Sequence, residues 1–179
     1  MTEHARVYGG SLYDLAAEEQ LTEAIKNDMQ EIKQIFRDNP DYIRLLSEPS
    51  IKKDERTDLI EKAFGEGVER YLVNFLKILC ERNILNEYEG CVEEFTKRYN
   101  ADHNIAEAVV VSAVELNDQQ KAALKDKLEK TTGKTVEIVT KIDPSVVAGI
   151  KVELEGKQLD GTVTGRLSDI SKKLSEIKI

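Results

Sequence analysis

The spacing of apolar residues changes its period near residue 101, and this change constrains the fold more than any other feature. Before it, apolar residues recur every three or four positions through six segments, as in helices that bury one face. After it, apolar and polar residues alternate in several segments, as in half-buried strands. The sequence therefore predicts a mainly α chain, with a six-helix bundle in residues 1–104 and a small α+β domain in residues 105–179.

Proline and glycine mark the ends of the predicted helices in the first domain. Asn39-Pro40 ends the second helix, because the residue before a proline disfavours the α conformation. Gly65 and Gly67 close the fourth helix. The fifth helix is the most apolar, and its wide apolar arc implies contact on more than one side. The six predicted helices cover residues 5–19, 21–36, 42–46, 52–64, 68–81 and 85–99.

The second domain is predicted to follow the order β-α-β-β-α. A valine-rich strand at 106–116 precedes a helix at 118–130, and strands follow at 136–142 and 148–155. Asn117 and Gln120 have the spacing of a capping box that opens the helix, and Gly133 ends it.

A last helix is predicted to begin near Thr162 and to carry a narrow apolar stripe. The stripe follows steps of four and three residues, which suits a helix that buries one side. It could cover the sheet or form a coiled coil with a partner. The stripe consists of Val163, Leu167, Ile170, Leu174 and Ile177.

Charge and hydropathy narrow the classes of partner. The net charge is −8, and residues 1–100 carry 14 Lys and Arg against 21 Asp and Glu. An acidic surface repels phosphate backbones, so nucleic acid is not an expected partner, although acidic balance is also common in cytoplasmic proteins. No apolar run approaches the roughly 18–20 residues that a membrane-spanning helix needs. The amino terminus has neither the pattern of a signal peptide nor that of a transit peptide.

The residues that usually carry catalysis are scattered. Cys80 and Cys91 stand singly in apolar helical patterns, which predicts buried, reduced thiols. His4 and His103 have no cysteine or carboxylate at the spacing of metal ligands, so solvated or structural histidines are expected. The sequence predicts no cofactor, no metal and no enzymatic activity.

A glycine pair inside the first helix is the most unusual local feature. Each of Gly9 and Gly10 costs about 0.5–1 kcal/mol of helix stability relative to alanine. The absence of a Cβ atom would let another helix approach closely. That helix could be an internal neighbour in the bundle or a helix of a partner, and the sequence leaves both readings open. Ser11, which follows the pair, gives no nucleophile or phosphate motif, since no strand precedes it.

The chain as a whole resembles the delta subunit of F-type ATP synthases, whose mitochondrial counterpart is the oligomycin-sensitivity-conferring protein. The resemblance is most specific in residues 142–150 and in the run Asp160-Gly161-Thr162, and it is extended by Arg166 and Leu167. Residues 5–16 resemble the opening helix of the family, and residues 46–49 and 81–85 are similar to its mid-chain patterns.

The resemblance implies a non-catalytic stator subunit of a proton-translocating F-type ATP synthase, peripheral on the cytoplasmic face of the cell membrane. The bundle would bind the amphipathic N-terminal helix of an alpha subunit in a groove between the first and fifth helices. The groove positions would be Tyr8 and Ser11 on the first helix and Ile78 on the fifth. Gly149 and Gly161 would serve turns or close approach of the backbone.

The second domain would contact the b subunits of the peripheral stalk, so the membrane would be reached only indirectly through the complex. A generic helical adaptor unrelated to ATP synthase is the alternative. Such an adaptor would share the bundle but has no reason to carry the specific run at 142–150. A small enzyme would need a convergent polar cluster, and the sequence offers no candidate for one.

Overall fold

The structure is a computed structural model that describes residues 2–146, 149–154 and 157–160. The chain divides into two compact units, Met1–Tyr99 and Asn100–Ile179. The described residues are mainly helical with a small sheet, as the apolar spacing predicted.

Six α-helices and a 3₁₀ turn occupy the described chain before the sheet, within three residues of the predicted bounds. Pro40 lies in the first turn of the third helix, where its missing N–H has no cost, so this helix starts two residues earlier than predicted. The elements are α1 (Glu3–Glu18), α2 (Thr22–Asp38), α3 (Pro40–Leu46), α4 (Lys53–Phe64), α5 (Arg70–Glu81), the 3₁₀ turn Leu85–Glu87 and α6 (Tyr88–Asp102).

The start of α5 is set by a long-range cap. The backbone N–H of Glu69 donates to Asp28 Oδ2 of α2 at 2.8 Å, which satisfies an N-terminal group that has no partner inside the helix. A carboxylate here also opposes the positive end of the helix dipole. The helix therefore starts at Arg70 and not at residue 68, where the apolar pattern placed it.

Aromatic side chains at the centre of the first unit connect three helices. Phe36 of α2 makes edge-on contacts with Phe64 of α4 and Tyr88 of α6, with ring centroids 6.0 and 5.2 Å apart. The buried Tyr88 hydroxyl donates to the Met29 carbonyl at 3.1 Å, so it has a hydrogen-bond partner inside the unit. Burial raises the pKa of Tyr88 well above its usual value.

A buried arginine holds the end of α5 in place. Arg56 of α4 donates through Nη1 to the Leu46 carbonyl at 3.0 Å and to Asn83 Oδ1 at 2.7 Å. Leu46 ends α3, and Asn83 lies in the loop that follows α5. Charge-assisted hydrogen bonds in a buried site are strong, so this side chain ties three segments together.

In the part of the second unit that the structure describes, the strands form one four-stranded sheet. The elements are β1 (Ile105–Ser112), α7 (Asp118–Thr132), β2 (Thr135–Ile142), β3 (Ile150–Leu154) and β4 (Lys157–Asp160). The strand order is β2-β1-β3-β4, with β2 parallel to β1 and the other pairs antiparallel. The helix α7 crosses between β1 and β2, and the Asn117–Gln120 capping box and Gly133 bound it as predicted.

One face of the sheet packs against α7. Ala108 and Val110 of β1 and Val152 of β3 are buried in one cluster with Leu128 of α7. Alternate residues of each strand point to the same face, so the remaining positions, such as Val109, lie on the other one.

Two expectations about the second domain were wrong. The strand predicted at 106–116 ends at Ser112, whose hydroxyl donates to the Val114 carbonyl at 2.7 Å in a local turn. The order β-α-β-β-α omitted β4, because Lys157–Asp160 has one apolar residue and no β-branched one. The helix predicted from Thr162, with its apolar stripe, lies outside the described residues.

Candidate functional site

The helices α1 and α5 are related by one contact near each end. At one end, the Thr2 hydroxyl donates to Glu87 Oε2 at 2.6 Å, just beyond the end of α5. At the other end, Tyr71 at the start of α5 lies near Glu19 at the end of α1, and the negative charge of Glu19 raises the pKa of the Tyr71 hydroxyl. The start of α1 therefore lies near the residues that follow α5, and the end of α1 lies near the start of α5, so the two helices have opposite directions.

The predicted residue pair on α1 lies on this flank. Tyr8 and Ser11 have the i, i+3 spacing that puts side chains on one helix face, and Leu15 extends the row by one turn. Glu19, which contacts Tyr71, continues the same side of the helix. Tyr8 and Leu15 are half-buried, and Ser11 is exposed, with its hydroxyl donating to the Val7 carbonyl at 2.8 Å.

Ile78 lies on the matching flank of α5. Tyr71, Phe75 and Ile78 follow i, i+4 and i+7 and so share one side of α5, the side on which Tyr71 lies near Glu19 of α1. Phe75 is buried, whereas Ile78 is 45 % exposed, which is unusual for a large apolar side chain on a helix this apolar. We call the set Tyr8, Ser11, Leu15, Phe75 and Ile78 the α1–α5 surface.

The glycine pair on α1 faces a different helix. A Cβ atom on Gly9 would lie 2.6 Å from the Cys91 carbonyl oxygen of α6, and one on Gly10 would lie 2.4 Å from Arg98 Nη2. Of the two readings that the sequence left open, the internal neighbour is therefore the one observed. The glycines allow α1 to approach α6, and they lie off the α1–α5 surface.

Two basic residues of α5 are paired with a carboxylate of α4. Arg70 and Lys77 both bind Glu61 of α4, at 2.6 and 2.5 Å. The hydrogen bond from Lys77, followed by that from Arg70, lowers the pKa of Glu61. Neither cation therefore contributes to the flank that carries Ile78.

The two cysteines are buried thiols, as the sequence predicted. Cys80 Sγ contacts the Leu46 carbonyl at 3.4 Å, and Cys91 lies under Gly9. Burial raises the pKa of Cys91 to about 12, so the thiolate needed for nucleophilic chemistry does not form near neutral pH.

The described part of the chain contains no group of three or more His, Cys, Asp or Glu side chains arranged to hold a metal ion. Nor does any helix within those residues have the length and hydropathy to cross a bilayer.

Gly149 precedes β3 with a φ of +93°, a backbone conformation that side chains other than glycine rarely adopt. A substitution here would strain the entry to the strand. Gly161, predicted to serve a similar turn, lies outside the described residues.

Sequence reasoning missed Leu15 and Tyr71 at the site. Leu15 lies four residues after Ser11, and Tyr71 lies seven residues before Ile78, so each shares a helix face with a predicted residue. This spacing does not say which helices are neighbours. Asp28 was missed for another reason, since a cap between residues 41 positions apart has no local signature.

The described chain is a helical unit with a large apolar side chain exposed on α5, followed by a small sheet unit. The family model for the ATP synthase delta (OSCP) subunit matches residues 5–174. The chain belongs to this family, and it is a non-catalytic stator subunit of ATP synthase, a membrane-associated complex that couples ion transport to ATP synthesis.

Similar proteins cover almost the full length of the chain. The ATP synthase subunit delta of Lachnoclostridium phytofermentans is 31 % identical over 176 residues, which are 98 % of this chain and 97 % of that one. The subunit delta of Prochlorococcus marinus subsp. pastoris is 31 % identical over 94 % of each chain. A chain in the cryo-EM structure of the Toxoplasma gondii mitochondrial ATP synthase hexamer shares the fold, with a TM-score of 0.75, 15 % identity and coverage of 97 % and 98 %.

Proposed function

We propose that the α1–α5 surface binds the amphipathic N-terminal helix of an alpha subunit. The exposure of Ile78, a large apolar side chain on the side of α5 that carries Tyr71, is the observation that carries this proposal. A partner helix that docks in a groove presents its apolar residues at positions i, i+3, i+4 and i+7. Tyr8, Ser11 and Leu15 on α1 and Tyr71, Phe75 and Ile78 on α5 have similar spacing. The resemblance to the delta family implies the same partner.

The surface is already formed in the free chain. Asp28 caps α5 at one end, and Arg56 fixes the loop beyond its other end through Asn83. The close approach of α1 to α6 at Gly9 holds the opposite wall. Few groups of this protein then have to be ordered on binding. Because that ordering costs little free energy, more of the free energy of apolar burial contributes to affinity.

Ile78→Asp should weaken binding of a synthetic alpha-subunit N-terminal peptide by more than tenfold, about 1.4 kcal/mol. The substitution removes an apolar anchor and places a carboxylate where the partner buries apolar surface. Isothermal titration calorimetry on the full chain measures the change.

Ile35→Asp is the matched control. Ile35 lies on α2 and is 42 % exposed, close to the exposure of Ile78, so the two substitutions carry the same chemistry at different places. Circular dichroism must show both variants folded. Equal affinity of the two variants and the unsubstituted chain would place the alpha contact elsewhere.

We further propose that the second unit contacts the b subunits of the peripheral stalk, and that the whole complex places this chain on the cytoplasmic face of the membrane. The described part of this unit carries three exposed large apolar residues, Val114, Val139 and Ile142. Val139 and Ile142 belong to β2, whose outer edge lies at the end of the described sheet. In this proposal the six helices act as one bundle, and a terminal helix from Thr162 completes the second domain.

With both contacts closed, the chain would resist the torque that the rotor exerts on the catalytic head. The role is mechanical, and it needs two surfaces on two units and no chemistry at either. The exposed Ile78 and the exposed residues of β2 lie on different units, as such a link requires.

A further inference from the structure

The outer edge of β2 is the longer of the two edges of the described sheet. Within that sheet β2 pairs with β1 on one side and ends the strand order on the other, and it has 8 residues. The opposite edge is β4, which has 4 residues. An open strand edge is a template for another strand unless a proline or a bulge interrupts it. The strand β2 contains no proline, and its register with β1 is continuous.

Two hydrogen bonds show which backbone groups of β2 face outward. The N–H of Thr135 donates to the Asn104 carbonyl, beside β1, at 3.2 Å. The N–H of the next residue, Val136, points the other way and donates to Glu129 Oε1 of α7 at 3.0 Å. Because backbone groups alternate in direction along a strand, the even-numbered residues from Ile138 onward turn their N–H and C=O groups to the open edge.

The side chains of β2 alternate between the face that α7 covers and the free face. Val136 is buried in the cluster with α7, and Ile138 packs against that cluster. Glu137, Val139 and Lys141 therefore lie on the free face, where all three are exposed. Along the edge this face presents an acid, an apolar residue and a base in turn.

The neighbouring charges extend the same pattern. Glu107 of β1 is in register with Glu137, so the acidic end of the row is two residues wide. The basic end continues across β1 to Lys151 of β3. Asp143, two residues beyond Lys141, accepts from a backbone N–H of its own loop and lies outside the row. The free face therefore has one acidic and one basic end along the direction of β2.

This row is complementary to itself in the antiparallel direction. A two-fold axis at Val139 sets Val139 opposite Val139 of a second copy and Glu137 opposite Lys141, where opposite charges attract. The same axis sets Ile138 opposite Thr140, and the outward N–H and C=O groups of this pair can bond to each other. An axis at Thr140 would instead set Val139 opposite Lys141, so charge selects the first register.

We propose that a second copy of this chain occupies the edge, as a two-fold dimer in which the two β2 strands pair about Val139. Glu129 limits the pairing to the middle of the strand, because its carboxylate already takes the outward N–H of Val136. A short pairing of this kind makes a weak, reversible dimer. The dimer covers Val139 and the edge beside Ile142, so the free chain would conceal part of the proposed stalk contact until assembly. The inference goes beyond that contact and does not depend on it.

Sedimentation equilibrium of the full chain tests the dimer, and the unsubstituted chain should show a monomer–dimer equilibrium that depends on concentration. Lys141→Glu should weaken dimerisation by about tenfold or more, because it sets like charges opposite each other at both ends of the row. Glu137→Lys should have the same effect. The two substitutions together reverse each pair and should return the dissociation constant to within about threefold of the original value.

Lys127→Glu, the same charge change at an exposed lysine of α7, is the matched control and should leave dimerisation unchanged. Thr140→Pro removes an N–H that faces the open edge and keeps the bonds of β2 to β1, so it should prevent the dimer in a folded chain. If the proline disturbs the strand, as circular dichroism would show, the charge exchange decides the result.

A chain that stays monomeric at the highest concentration reached would overturn the proposal, whether another segment of the chain or solvent covers the edge. A dimer that is equally stable in Lys141→Glu and Glu137→Lys would form through another surface and would overturn it as well. Failure of the double substitution to restore a dimer that each single one weakens would contradict the register about Val139.

Discussion

Gly9→Ala should lower the melting temperature of the first unit by several degrees, up to about 10 °C. The added Cβ atom would lie 2.6 Å from the Cys91 carbonyl oxygen and 2.9 Å from its Cα atom, and backbone atoms of a packed helix cannot move aside alone. Overpacking of this kind costs about 1–3 kcal/mol, which exceeds the gain of up to about 1 kcal/mol that alanine brings to a helix. Thermal unfolding followed by circular dichroism measures the effect.

Ser11→Ala is the control for this experiment. Ser11 is exposed on the same helix and its hydroxyl bonds only to the Val7 carbonyl, so alanine should be neutral or slightly stabilising there. Gly10→Ala should change the melting temperature by an amount between those of Gly9→Ala and Ser11→Ala. The atoms that its Cβ would meet belong to the Arg98 side chain, which is flexible. An unchanged melting temperature for Gly9→Ala would contradict the close approach of α1 and α6.

Deletion of residues 162–179 should abolish capture of the b subunits and leave binding of the alpha peptide unchanged. The deleted segment carries the apolar stripe from Val163 to Ile177, whether it covers the sheet or meets a partner. The α1–α5 surface belongs to the other unit, so its affinity does not depend on this segment. Affinity capture of the b subunits and calorimetry with the peptide give the two readouts.

A chain that lacks only residues 178–179 keeps the stripe and should capture the b subunits normally. Hydrolysis of ATP by the detached catalytic head should persist with either truncated chain, because this subunit takes no part in it. If the chain without residues 162–179 captured the b subunits at full yield, the stalk contact would have to lie on the helical unit.

The elements that could be predicted are those fixed by neighbours in sequence. Helical spacing located the first six helices, because each buries one face regardless of what covers it. The capping box at Asn117 located α7, because both of its hydrogen bonds join residues three apart. Such signals do not require knowledge of the tertiary fold.

The parts that could not be predicted depend on residues far apart in the chain. The cap from Asp28 to Glu69 moved the start of α5, and Arg56 reaches two loops that its own sequence context does not indicate. The strand β4 forms because β3 supplies its hydrogen bonds, despite a weak propensity of its own.

At the candidate site, one sequence signal was misleading and another was useful. The sequence pointed to Gly9 and Gly10 as an unusual surface, and the structure assigns them to α6. The apolar arc of α5 was the better signal, since Ile78 remains exposed in the folded chain. The pairing of α1 with α5 follows only from the contacts of Glu19 with Tyr71 and of Thr2 with the residues beyond α5.

Restoration of ATP-driven ion transport in membranes depleted of this subunit tests the central claim most directly, namely that the chain links the head to the stalk. Depleted membranes should hydrolyse ATP without transport, and the purified chain should restore transport while Ile78→Asp restores little at the same concentration. Ile35→Asp should restore it fully. Transport that is equally strong without the added chain, or with a variant that no longer binds the alpha peptide, would contradict the account.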